Sequence, residues 1–119
     1  MLAFLSALVL AVQPAPPTIT MSPIPLEIRQ QTALRCSVAI AMAAEQQRMG
    51  SAEDKSWPDL TTRGREYFVR SMAQLMDETG ATREGIALYA RPEVEALKQP
   101  GRLAEVMPAC LVMLDASGL

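Results

Sequence analysis

The chain is predicted to be all-α, a small bundle of four to five helices spanning residues 26–119. Three observations carry that expectation. Ala and Met are abundant while Phe4, Trp57, Tyr67, Phe68 and Tyr89 are the only aromatic residues, and Ala and Met favour helices without the β-branching that strands prefer. Apolar residues recur at three- and four-residue spacing between Gly and Pro punctuation, the period of a helix with one buried face. No segment sustains the period-2 alternation of a strand. Half of the chain is apolar, enough for one domain of this length to bury a core.

The first 25 residues stand apart from that domain. Leu2–Val12 reads LAFLSALVLAV, with Ser6 its only polar residue, and no charged side chain precedes Glu27. An apolar stretch of this length followed by small residues is the outline of an export signal, so residues 1–13 are read as a signal peptide, with Val9-Leu10-Ala11 offering a cleavage site. The n-region is Met1 alone, so an uncleaved anchor and an apolar helix of the fold are the alternatives. Eleven apolar residues are too few to span a bilayer, which takes about 20. Residues 14–25 hold Pro14, Pro16, Pro17, Pro23 and Pro25. Each proline fixes φ and removes a donor, so this stretch is an extended tether.

Within the domain, the first helix is expected from about Leu26 to Met49, with Pro25 at its start and Gly50 as its stop. Its centre, CSVAIAMAA, is apolar all round, the mark of a helix buried on most sides. The second is expected from about Asp59, its N-cap, to Thr79, with Gly80 as the stop. Leu60, Gly64, Phe68, Met72, Leu75, Met76 and Thr79 form its apolar stripe, and Gly64 on that stripe implies close approach of another backbone. Glu66 and Arg70 stand in the favoured i,i+4 order. Thr82 is expected to cap a third segment ending near Ala90, and Pro92 to begin a separate short helix through Leu97. The last helix carries Leu103, Val106, Met107, Cys110, Leu111 and Leu114 on one stripe, with Pro108 kinking or restarting it.

Cys36 and Cys110 are the only cysteines. In an exported protein two cysteines most often pair, and here a bond would join the first and last helices. Closing so long a loop stabilises by about 4–5 kcal/mol in the chain-entropy model. The alternatives are two buried thiols or a redox cysteine, and the second is disfavoured by the absence of Cys-x-x-Cys and of any His to lower a thiol pKa.

Absences narrow the chemistry further. The chain has no His, which excludes Ser-His-Asp and Cys-His nucleophile systems, His-ligated zinc and c-type haem attachment. It has no Asn, so N-glycosylation is excluded. A net charge of −2 with interleaved signs is no nucleic-acid footprint. Glu45, Glu66, Asp77, Glu78 and Glu105 have no spacing that makes a catalytic pair or metal site. Met42, Met49, Met72, Met76, Met107 and Met113 fall in or beside the apolar stripes, where Met fills core gaps rather than binding Cu(I). No cofactor and no catalytic residue is assigned.

Candidate partner contacts are Trp57, Arg63 and Arg70. Trp57, before Pro58, has two readings: folding back onto the core, the expected one, or standing exposed as a partner anchor. Arg63 and Arg70 share a helix face, read first as solvated and second as an anion site.

RGREYFVRSMAQLMDETG (Arg63–Gly80) and MPACLVMLDASGL (Met107–Leu119), together with the short leader and early Cys36, resemble segments of small exported helical proteins of proteobacteria. The likeness covers roughly a third of the domain and implies no activity. In layout alone the chain is similar to periplasmic acid-stress chaperones, with no residue-by-residue match, so no functional position carries over. Any acid switch here would use carboxylates, because no imidazole is present. The sequence therefore favours a non-enzymatic protein of the periplasm or exterior that binds other proteins, with no membrane span after leader removal. One alternative is an apolar-ligand carrier with a pocket lined by Phe68, Met72, Met76 and Met107. The other is a membrane-tethered subunit of a larger complex.

Overall fold

The computed structural model describes residues 25–119; the expected signal peptide and all of the tether but Pro25 lie outside the described residues. Four helices follow one another: α1 (Ile28–Arg48), α2 (Arg63–Thr79), α3 (Arg83–Leu97) and α4 (Arg102–Ala116). No strand occurs among the described residues. The number of helices is at the lower end of the expected four to five.

Helix α1 is the hub, packing against α2, α4 and α3 in turn. Its apolar centre explains why. Cys36, Ser37, Val38, Ala39, Ile40, Ala43 and Ala44 are all buried, which needs neighbours on several sides. Small residues permit that, and the Ser37 hydroxyl escapes an unpaired burial by donating to the Leu34 carbonyl at 2.9 Å. Its first turn is fastened by the Glu27 N–H donating to Gln30 Oε1 at 3.1 Å, half of a capping box.

The expected close approach at Gly64 is present. A Cβ built there would lie 3.0 Å from Ile40 Cγ2 and 3.3 Å from Ala44 Cβ, so α2 crosses α1 at a distance that only glycine permits without displacement. Gly80 ends α2 with φ +72°, its N–H donating to the Met76 carbonyl, and a residue with a Cβ is strained in that left-handed region.

Two boundaries differ from the sequence reading. Asp59 does not cap α2, which starts at Arg63 with Thr62 before it. The Asp59 carboxylate instead accepts from the Thr61 N–H at 3.0 Å and the Thr61 hydroxyl at 2.6 Å, building a tight turn in which Leu60 is fully buried. Pro92 does not begin a new helix; α3 runs unbroken through it. The lost N–H bond would have been to the carbonyl of Leu88, which is exposed, so water can take its place. Pro108 sits inside α4 in the same way, on an exposed face. Thr82 caps α3 as expected, its hydroxyl accepting from the Gly85 N–H at 3.1 Å.

Cys36 and Cys110 are bonded, with Cα atoms 5.0 Å apart at a sequence separation of 74. The protein is thus an all-helical bundle whose first and last helices are covalently joined. Such bonds form and persist in oxidising compartments. No helix among the described residues is long and apolar enough to cross a membrane.

Candidate functional site

A groove of about 420 Å3 opens over α1 between α2 and α3. Val38, Ala41, Met42 and Glu45 form its floor, Phe68 of α2 one wall, and Ala90 and Val94 of α3 the other. The floor residues follow i, i+3, i+4, i+7 spacing, one continuous stripe of a helix. α1 needs neighbours all round, but α2 and α3 contact each other only slightly, so this stripe is partly uncovered at Ala41, Met42 and Glu45 while Val38 is buried. Met42, Phe68, Ala90 and Val94 are half-buried rather than sealed. Charge enters only at one end, where Glu45 accepts from the Arg48 guanidinium. That hydrogen bond with Arg48 holds the Glu45 carboxyl below its ordinary value. Phe68 is a ridge: its other side lines a second hollow with Ala44, Thr61 and Arg65.

Polar contacts between helices fix the groove's walls. Glu78 of α2 accepts from Arg29 Nη2 and Gln30 Nε2 of α1, each at 2.9 Å, and from Gln74 at 3.0 Å. The hydrogen bonds from Gln30, Arg29 and Gln74 lower the Glu78 pKa to about 2. Arg35 of α1 pairs with Glu93 of α3 at 3.2 Å. The loop before α2 is held by two neighbouring amides that both donate and accept. Gln47 donates to the Pro58 carbonyl and accepts from the Leu60 N–H, each at 2.8 Å, while Gln46 exchanges bonds with Glu53.

The structure places the expected partner contacts apart from one another. Trp57 is buried, 8% exposed, so the core-facing reading holds and it is no surface anchor. Arg63 and Arg70 are not brought to one anion site. Arg63 reaches α4, donating from Nη2 to Asp115 Oδ1 at 2.9 Å and from Nε to the Leu119 carbonyl oxygen at 2.9 Å. Arg70 lies in a shallow hollow beside Arg29, Tyr67, Ser71, Gln74 and Glu78. The Glu66–Arg70 pairing does not form within the ion-pair distances found; both side chains are exposed, where such a pair gains only a few tenths of a kcal/mol and hydration competes.

The residues expected to line a carrier pocket are dispersed. Phe68 faces the open groove, whereas Met72, Met76 and Met107 line neither it nor the other hollows described. Met107 is fully buried in the core. Among the described residues no three His, Cys, Asp or Glu side chains are grouped to hold a metal ion. Tyr67, outside the expected stripe, is buried at 6%, and burial raises its phenol pKa.

No protein-family model, curated protein or solved structure matches the chain.

Proposed function

We propose that this is an exported, non-enzymatic helical protein that binds another protein, taking an apolar helical segment of that partner into the groove over α1. The observation that carries this reading is the half-exposed Ala41-Met42 stripe, with buried Val38 at its end, between walls from α2 and α3. An apolar stripe at helical spacing, walled on both sides and free of charge along its length, suits an amphipathic helix laid into a groove. Half-burial of Met42 and Phe68 supports the same reading, because Met adapts its shape to varied apolar surfaces. The disulfide supports an oxidising destination, periplasmic or extracellular.

The test uses a defined probe, a 15-residue amphipathic peptide of Leu, Ala and Gln, titrated into isotope-labelled protein carrying Leu5→Asp and Leu8→Asp. These changes make the N-terminal run polar and leave residues 25–119 untouched. Saturable shifts at Val38, Met42, Phe68 and Val94, abolished by Met42→Asp, are the expected result. No shift at millimolar peptide, or shifts centred elsewhere, would overturn the reading.

A further inference from the structure

We infer that the hollow between α2 and α4 is a second binding site, one for a small amphiphilic monocarboxylate whose carboxylate pairs with Arg70 and whose aliphatic chain lies against Ala33, Leu75 and Met113. The hollow shares no lining residue with the groove over α1 and stands independently of the role given to that groove.

The hollow arises from packing. α2 and α4 both pack on α1 but touch each other least of any two helices, and the space between them, over the first turns of α1, is about 310 Å3. That is the small end of ligand pockets, roughly 300–1,000 Å3, and suits a short aliphatic chain rather than a whole lipid. Two clasps hold its walls at a fixed spacing. Arg63, one turn before Tyr67 on α2, is bonded to Asp115 of α4. Glu78, at the other end of the same helix, is bonded to Arg29 and Gln30 of α1.

The lining combines two chemistries. Tyr67, Arg70, Ser71, Gln74 and Glu78 recur at three- and four-residue spacing and so supply polar groups along one face of α2. Ala33, Leu75 and Met113 supply apolar surface from three different helices. Glu78 is already satisfied: Oε2 accepts from Arg29 and Gln30, and Oε1 from Gln74. Arg29 is thereby balanced. Arg70 enters none of the ion pairs among the described residues. The hollow thus carries one uncompensated positive charge, which an occupant with one negative charge neutralises. A dianion would also meet the Glu78 carboxylate. A planar guanidinium takes a carboxylate through two parallel hydrogen bonds, and the Tyr67 and Ser71 hydroxyls are further donors on the same face.

The probe is octanoate, titrated into the isotope-labelled, oxidised full chain carrying Leu5→Asp and Leu8→Asp, which make the N-terminal run polar and unattractive to it. Saturable shifts at the Arg70 side-chain N–H, Ser71, Leu75 and the Met113 methyl are expected, with a dissociation constant of order millimolar for so small a ligand. Arg70→Gln should weaken binding about tenfold, the size of a lost charge-assisted contact, without altering the backbone spectrum away from the hollow. Octan-1-ol, which lacks the charge, should bind on the order of tenfold more weakly. Glu78→Gln should bind octanoate more tightly, because it frees Arg29 and removes the opposing charge; a purely structural role for Glu78 gives no such gain. Absence of saturation below the concentration at which octanoate self-associates, shifts centred on Met42 and Phe68, equal binding of octan-1-ol, unchanged binding by Arg70→Gln, or no gain in Glu78→Gln would each overturn the inference.

Discussion

Helices α3 and α4 are built to the same plan and end up doing opposite things. Each has 15 residues, each holds an internal proline, and each packs on α1. α4 is sealed: Leu103, Met107, Cys110 and Leu114 are all at most 1% exposed, and Cys110 is bonded to α1. α3 buries only Ile86 and Leu97 fully and leaves Ala90 and Val94 half-covered on the groove wall. The α1–α4 seam thus supplies stability and the α1–α3 seam supplies surface. A small domain need not trade one against the other when a covalent bond secures the first.

The strongest way to break this contrast is to remove the bond. Reduction, or Cys36→Ala with Cys110→Ala, is expected to cost about 4 kcal/mol by the chain-entropy relation for a loop this long, read as a lower urea midpoint. Equal midpoints with and without reductant would show that α4 is held by packing alone. Next, Met107→Ala on α4 should destabilise by about 3 kcal/mol and Val94→Ala on α3 by about 1 kcal/mol or less, since a fully buried side chain loses both transfer energy and packing. Equal losses in denaturant unfolding would erase the distinction between the seams.

A smaller effect places α2 in the comparison. Gly64→Ala gains about 1 kcal/mol of helix propensity, but its methyl would press on Ile40, which is fully buried and has nowhere to move. Overpacking of about 1–3 kcal/mol should leave a modest net loss. A more stable variant would mean that α2 can slide on α1.

The smallest effect is electrostatic and depends on pH. The Glu78 pKa is lowered to about 2 in the fold by Gln30, Arg29 and Gln74, below its ordinary value near 4.5. Its contribution is therefore complete above about pH 5 and fades as pH falls through the interval down to about 2. Glu78→Gln should flatten that part of the stability–pH curve and change little at neutrality. An unaltered curve would mean that the α1–α2 clasp contributes nothing.

These contrasts were unevenly legible in the sequence. The α4 stripe, the buried centre of α1, the Gly64 approach and the Thr82 cap each depend on residues a few positions apart, and local spacing reports them. Pro92 misled because a proline's cost inside a helix depends on whether the orphaned carbonyl faces water, which is a tertiary fact. Asp59 misled because its side chain serves a turn and a cap through the same short-range bonds. The Gln46 and Gln47 clamps left no signal, since an amide names no partner. The groove was least legible: Met42, Phe68 and Val94 each look like core residues, and only the spacing of three helices leaves them half-covered. A trace existed in α1, where the stripe Val38, Ala41, Met42 runs into the charged Glu45.

The bond between Cys36 and Cys110 also sets where the molecule bears load. A pull applied through the N-terminal spacer and the C-terminal residues passes along the first turns of α1, across the sulfur bridge and out along the end of α4. α2 and α3 lie wholly inside the closed loop and feel no tension. Stretching the protein from its ends would therefore fray its two outer segments and leave α2, α3 and the groove between them mechanically shielded.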